Sequence, residues 1–183
     1  YPYIQESINL SDKNKDNYTL TIQHSLDGLS FVIFDNAEQK FIALKHYQYS
    51  TKDIILQDIV RELQEKEGWK LEDFKNVNIL IDNNLNTLIP KDFFQEEAKE
   101  QYLSLLNIDN NSIVMTDDIQ ECEAVNVFSC KDKLDFLNHN VKTYHCSTIL
   151  IKKLIKDFSD RNAETRAFIN VKNNSYELII LNN

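Results

Sequence analysis

The sequence predicts an α/β fold with a mixed β-sheet, and two observations carry this prediction. First, a run of strand patterns is followed by a helix pattern and then by one more apolar strand at 77–81, which requires a crossover connection. Second, a strand pair at 18–34 is matched by another at 167–181, a spacing typical of a duplicated fold. With 183 residues and 42% hydrophobic content, the chain can bury a core.

The first strand pair is predicted to open a three-stranded antiparallel meander. Its first half alternates apolar and polar residues, and its second half is almost continuously apolar, as in a strand covered on both faces. Asp27 and Gly28 predict a two-residue turn with positive φ at both positions, which sets Ile22 opposite Ile33. A third apolar run at 41–47 completes the meander.

Helices and further strands follow the meander. Thr51 is predicted to cap a helix that ends before Gly68. Its buried face comprises Leu56, Ile59, Val60 and Leu63. A second helix is predicted from about Asp92 to Leu106. Its buried side comprises Phe94, Ala98, Tyr102 and Leu105. The other predicted elements are strands at 87–89, 113–115, 124–128 and 141–145, a short helix at 131–138 and a helix that Ser147 opens.

These elements predict three parts of the chain. Residues 1–17 are a polar N-terminal extension. Residues 18–160 form a first domain with a small inserted subdomain at about 84–130, and the polar stretch 159–164 marks its boundary. Residues 165–183 are the opening hairpin of a second, truncated domain. Because an isolated hairpin is marginal in water, it must pack on the first domain, on a missing remainder or on a partner.

The charge balance narrows the classes of function. The net charge of −9 opposes binding to nucleic acid and to anionic membrane surfaces. No run approaches the roughly 18 apolar residues of a membrane span, and the amino end lacks a basic region followed by an apolar one, so a cytoplasmic protein is expected. Cys122, Cys130 and Cys146 lack CxxC spacing, which argues against disulfides and zinc and favours small buried side chains.

Two groups of residues are candidates for reactive sites. Asp27, Gly28 and Ser30 resemble remnants of a phosphate loop, but Asp-Gly is also the commonest way to close a hairpin, and the structural role is favoured. His145, Cys146 and Ser147 place a thiol beside an imidazole and a hydroxyl at a helix start, where the helix dipole favours a thiolate.

Strand geometry argues against a catalytic role for the second group. Because adjacent strand residues point to opposite faces, His145 is badly placed to activate Cys146. The favoured interpretation is a buried cysteine and a capping serine at Ser147.

Metal and partner sites have weaker signals. One candidate metal site comprises Cys122, Cys130, His139 and His145, but no two of these residues have the short sequence spacing that is usual for metal ligands. An acidic cluster lacks the glycine-bearing loop of a calcium site and is interpreted as a solvated surface; it comprises Asp117, Asp118, Glu121 and Glu123. Tyr47, Tyr49 and Trp69 flank the first helix and fit either a protein interface or the edge of the core. We predict no metal ion and no cofactor.

Four segments carry a resemblance to a known family: IQHSLDGLSFVIFD, NILIDNNLNTLIPKDFF, AVNVF and YHCSTILIKKLIKDF. They resemble an uncharacterised Bacteroidetes family, a domain of unknown function with an actin-like ATPase (ribonuclease H-like) fold. That family is distantly similar to pilus-assembly actin-like proteins. The resemblance covers the chain from Tyr18 onward. It implies an actin-like domain with a small inserted subdomain, followed by the start of a second similar domain that continues past Asn183.

The resemblance also implies what the hairpins should contain. Active members of the superfamily carry Asp-x-Gly loops in both hairpins, which hold phosphate and metal. Here the first loop, 26–30, has Asp next to Gly, and the second, 171–175, has neither residue. No catalytic, cofactor-binding or metal-binding residue is therefore carried over, and weak or absent ATP binding is predicted.

Two functions are compatible with this sequence. The preferred one is a non-catalytic binding or assembly module. Its protein partner is unidentified, and no oligomeric state is predicted. The alternative is a nucleotide-dependent enzyme or switch whose phosphate- and adenosine-binding residues lie in the missing second domain.

Overall fold

The computed structural model describes residues 17–25, 28–48, 55–106, 108, 112–131, 141–158, 165–172 and 175–182. The strands are β1 Tyr18–Ser25, β2 Gly28–Asp35, β3 Lys40–Gln48, β4 Asn76–Asp82, β5 Asn86–Pro90, β6 Ile113–Ile119, β7 Ala124–Cys130, β8 Val141–His145, β9 Arg166–Val171 and β10 Tyr176–Leu181. The helices are α1 Leu56–Glu67, α2 Lys99–Tyr102 and α3 Cys146–Phe158. Among the described helices, none combines the length and the apolar character that crossing a lipid bilayer demands.

The main sheet is the predicted mixed sheet. It has five strands in the order β3-β2-β1-β4-β8. Strands β1, β2 and β3 form the antiparallel meander, and β4 and β8 extend it in parallel with β1. Helix α1 supplies the crossover between the meander and β4, as the predicted order of elements requires.

The core lies between the main sheet and α1. The four predicted apolar positions of α1 are buried, which confirms its predicted face. Trp69 packs edge-on against Phe31 and Phe74, with ring centroids 5.7 Å and 5.4 Å apart. Gly68 ends α1 at a φ of 74°, the left-handed conformation expected of a glycine C-cap. The N-cap residue is Ile55 and makes no side-chain cap bond, and Thr51 lies outside the described residues.

The predicted register of the first hairpin is wrong by two residues. Ile22 pairs with Phe31 rather than Ile33, and Gly28 pairs with Ser25, so that Gly28 is the first residue of β2 and not part of the turn. Its φ is not positive. A Cβ atom at Gly28 would lie 2.5 Å from the Tyr47 carbonyl oxygen. The glycine is therefore required by the close approach of β3, and not by turn geometry.

The segment predicted as an inserted subdomain contains a three-stranded sheet in the order β5-β7-β6. Its assignment as a subdomain stays a prediction. All seven residues of β7 are buried. Their side chains contribute to two cores: Phe128 and Cys130 belong to the main core, whereas Val125 and Val127 pack with Leu103 in a smaller one.

The long helix predicted from Asp92 to Leu106 does not form. This segment contains two short 3-10 turns and α2, which has four residues. The Tyr102 hydroxyl donates to the Phe93 carbonyl and accepts from the Gln95 N–H, so that a side chain satisfies backbone groups that a helix would have paired. Leu103 is buried, whereas Leu105 is exposed. The helix predicted at 131–138 lies outside the described residues apart from its first position.

The second hairpin forms as predicted, as the separate two-stranded sheet β9-β10. Its outer face is apolar and exposed, with Ile169 at 65% and Tyr176 at 73% exposure. This face comprises Ala167, Ile169, Val171, Tyr176, Leu178 and Ile180. The assignment of 165–183 to a second domain stays a prediction, and residues 1–16 and 159–164 lie outside the described residues.

Candidate functional site

The carboxyl ends of the three parallel strands meet at one edge of the main sheet. Ser25 at the end of β1 pairs with Asp82 at the end of β4, and Ile81 pairs with His145 at the end of β8. Open α/β sheets bind ligands at this edge, because the loops that follow the strands converge there. The carboxyl edge is therefore the candidate site.

One neutral polar side chain from the first hairpin and charged side chains from β4 and the second hairpin occupy this edge. We call them the Lys172 cluster: Gln23, Asp82, Lys172 and Glu177. The Lys172 Nζ atom lies 2.5 Å from Asp82 Oδ1 and 3.8 Å from Glu177 Oε2. The Gln23 amide donates to Asp82 Oδ2 at 2.9 Å. The second hairpin thus places a cation directly against the end of β4.

Burial makes the Lys172 cluster electrostatically significant. The side chains of Asp82, Lys172 and Glu177 are 9%, 20% and 21% exposed. Burial acts to lower the pKa of Lys172, but the hydrogen bond and the negative charge of Asp82 outweigh it, and the pKa is raised overall. Lys172 therefore remains a cation over the whole physiological pH range.

His145 is a structural residue at the same edge. Its side chain is fully buried, its Nδ1 atom accepts from the Ser147 N–H at 3.2 Å, and its Nε2 atom lies 3.2 Å from the Asn83 carbonyl oxygen. Since a carbonyl only accepts, Nε2 carries the proton in this arrangement. Burial lowers the pKa of His145 to about 4. The imidazole is neutral at pH 7, and neither ring nitrogen is directed at Cys146.

Cys146 does not have the environment of a nucleophile. Burial raises the pKa of its thiol to about 12, and the nearby Asp82 carboxylate acts in the same direction. Helix α3 begins at Cys146, so that Ser147 lies within the first turn, and the His145 imidazole binds its N–H. The prediction that Ser147 opens and caps the helix is therefore wrong by one residue.

The acidic cluster is divided between two structural roles. Asp117 is buried, and its Oδ2 atom accepts from the His145 N–H at 2.8 Å. Burial raises the pKa of Asp117 even though hydrogen bonds from His145 and Thr148 oppose the shift. Asp118 forms an exposed ion pair with Lys91 at 3.1 Å.

The other predicted groups are not brought together. Within the described residues, no three or more His, Cys, Asp or Glu side chains are placed to hold a metal ion. Cys122 is exposed, and Cys130 lies in the main core. Ser30 bonds His46 at 3.0 Å, while Asp27, His139 and Tyr49 lie outside the described residues. Trp69 is a core residue.

Asp82 and Lys172 are the site residues that sequence reasoning missed. Asp82 follows the apolar strand VNILI, and a polar residue at the end of a buried parallel strand is a signal for a site at the carboxyl edge. Lys172 lies in the segment 171–175, whose only sequence signal is its lack of Asp and Gly. Its pairing joins residues 90 positions apart, which no local pattern encodes.

Comparison with known proteins gives the family. Residues 7–183 match a family model described as "Protein of unknown function (DUF3822)". The chain belongs to this family. The matched region contains every element described above. No curated protein sequence matches the DUF3822 chain.

Two solved structures are similar to the DUF3822 chain. One is a Bacteroides thetaiotaomicron protein with an actin-like ATPase fold and unknown function, with 23% identity and a TM-score of 0.80 over 94% of this chain and 68% of that one. The other is the cytoplasmic domain of EpsL, an inner-membrane component of the Vibrio cholerae type II secretion system, with 14% identity and a TM-score of 0.37 over 64% of this chain and 46% of that one. The first similarity confirms the predicted actin-like fold.

Proposed function

We propose that this chain is a non-catalytic binding or assembly module on an actin-like scaffold. The observation that carries the proposal is the Lys172 cluster, because the protein's own ammonium group lies at the carboxyl edge. A ligand phosphate would have to displace Lys172 from Asp82 or bind beside two carboxylates.

The charge of the cluster supports this proposal. Asp82 and Glu177 carry two negative charges against the single positive charge of Lys172, and all three side chains are largely buried. Like charges at close range in a partly desolvated site repel strongly. A nucleotide triphosphate would therefore meet an unfavourable field, unlike the exposed amides and bound cations of a phosphate site.

The backbone pairing of both hairpins also supports this proposal. In the second hairpin, the Lys172 N–H donates to the Ser175 carbonyl at 2.9 Å and is not available to a phosphate. In the first, Gly28 pairs with Ser25 across β1 and β2. Both described positions are therefore engaged in hairpin pairing, which supports the proposal that the glycine-poor hairpins do not bind phosphate.

The binding half of the proposal has support at the surface. The exposed apolar outer face of the β9-β10 hairpin is the kind of surface that proteins use to contact another polypeptide layer. The net charge of −9 disfavours nucleic acid as the partner. A cytoplasmic location, expected from the sequence, belongs to the same proposal.

Isothermal titration of the chain with ATP and magnesium tests this function. We expect no measurable heat of binding at ATP concentrations up to about 1 mM, an affinity weaker than roughly −4 kcal/mol. The variant Lys172→Ala should also fail to bind, because it leaves both carboxylates in place. A micromolar, magnesium-dependent affinity of the wild type would contradict the proposal. So would binding by Lys172→Ala alone, which would mean that the lysine only masks a working phosphate site.

A further inference from the structure

We propose that the β9-β10 hairpin is a cover for the carboxyl edge of the main sheet, closed by the Lys172–Asp82 ion pair, and that closure shields the thiol of Cys146. This inference rests on the contacts between the hairpin and the first domain. It does not depend on the proposed function.

The hairpin is attached to the first domain at two separate places. In the first half of β9, the Phe168 ring packs on Phe158 with centroids 4.9 Å apart, and Arg166, the first residue of the strand, lies over the same ring at 5.6 Å. At the end of β9, Lys172 reaches Asp82. Phe158 is the last residue of α3 and Cys146 is the first. Asp82 and Cys146 follow directly after Ile81 and His145, which pair between the neighbouring strands β4 and β8.

The lengths of the two elements agree with this arrangement. Helix α3 has 13 residues and is about 20 Å long at 1.5 Å per residue. Strand β9 has six residues and is about 20 Å long at roughly 3.4 Å per residue. The distance from Arg166, at the start of β9, to Lys172, just after its end, therefore matches the length of α3, and the two attachments lie toward opposite ends of that helix.

The two attachments differ in chemistry. The Phe158 end combines a ring contact, a cation over the ring and a hydrogen bond from Arg166 to the Phe158 carbonyl. The Lys172 end depends on charge. The hairpin forms its own sheet and shares no strand pairing with the main sheet among the described residues. Loss of the ion pair should therefore release the Lys172 end while the six paired positions of β9 and β10 stay intact.

Cys146 reports directly on this release. Its thiol is half-buried and lies within the field of the three charged groups Asp82, Lys172 and Glu177. Alkylation requires a solvated thiolate, which burial under the closed hairpin suppresses. Cys122 is exposed and Cys130 is buried in the main core, so the same chain carries a fast and a slow reference thiol.

The test is the rate of alkylation of each cysteine by iodoacetamide at pH 8, measured by peptide mass spectrometry. In the wild type, Cys146 should react far more slowly than Cys122. Lys172→Met and Asp82→Asn should each raise the Cys146 rate at least tenfold and leave Cys122 unchanged. The swap Lys172→Asp with Asp82→Lys should return the rate to within about threefold of the wild type. Lys153→Met, which removes an exposed ion pair with Asp157 on the same helix, should have no effect.

Two results would overturn the proposal. The first is an unchanged Cys146 rate in both neutral variants. The second is measured on the wild type in urea below the unfolding transition and needs no variant. There we expect Cys146 to become reactive at a lower urea concentration than Cys130, because only the hairpin has to open. Simultaneous exposure of Cys146 and Cys130 would mean that the thiol is protected by the whole fold, and this result decides the matter even if the variants unfold.

Discussion

Acidification should destabilise the fold through His145, and the structure gives the size of the effect. The imidazole is buried against the Phe128 ring at a centroid distance of 5.2 Å and accepts the Ser147 N–H. Protonation would remove that acceptor and place a cation at the N-terminus of α3, where the helix dipole is unfavourable. Burial accordingly lowers the pKa from 6.5 to about 4, and only the nearby carboxylates of Asp82 and Glu177 and the Asn83 carbonyl oppose it.

The sign of the pH effect on stability follows from which state, folded or unfolded, binds the proton more tightly. The unfolded chain takes up the proton near pH 6.5 and the folded chain near pH 4, so the stability is complete above pH 6.5 and is lost as the pH falls toward 4. At about 1.4 kcal/mol for each pKa unit, the total loss is about 3 kcal/mol, of which about 2 kcal/mol is lost by pH 5. The raised pKa of Asp117 works in the opposite direction as the pH falls.

Urea unfolding followed by the fluorescence of Trp69, the single tryptophan and a core residue, measures this loss. The free energy of unfolding should fall between pH 7.5 and pH 5 by about 2 kcal/mol more in the wild type than in His145→Gln, which keeps a donor and an acceptor but does not titrate. The comparison of the two proteins removes the contribution of Asp117. His46→Gln, an exposed position on β3, is the matched control and should behave like the wild type. Equal pH dependence in wild type and His145→Gln would refute the reasoning.

Three further substitutions test the local packing. Gly28→Ala should lower the free energy of unfolding by roughly 2 kcal/mol, because the new Cβ meets the Tyr47 carbonyl. Gly68 has open space around it but a φ of 74°, so Gly68→Ala should lower that free energy by about 1 kcal/mol. Urea unfolding measures both losses, and a larger loss in Gly68→Ala would contradict the packing argument. Tyr102→Phe should cost about 1 to 2 kcal/mol through two lost hydrogen bonds, and unchanged urea stability would show that these bonds do not hold the 3-10 segment together.

The sequence was sufficient for the main sheet because its elements have regular periods. The alternation in β1, the apolar run of VNILI and the helical spacing of Leu56 to Leu63 each reflect one buried face, and each was found where it was predicted. The segment from Asp92 to Leu106 has a comparable apolar count, but tertiary contacts and the Tyr102 hydroxyl override its helical period.

The candidate site was not predictable in the same way. The Lys172 cluster joins side chains from β1, from β4 and from both sides of the second hairpin. Only the folded topology brings these parts of the chain together. The register error at Gly28 has a similar origin. The residue that the glycine accommodates is Tyr47 on β3, some 19 positions later, so that a purely local rule for Asp-Gly turns assigned it the wrong purpose.

The double role of β7 has a consequence for engineering and for evolution. Excision of the segment between β4 and β8 would remove Phe128 and Cys130 from the main core along with the smaller core around Leu103. A variant lacking this segment should fail to fold, since it would leave a large cavity in the main core. Because β7 contributes to both cores, we expect the β5-β7-β6 sheet and the main sheet to unfold in one transition.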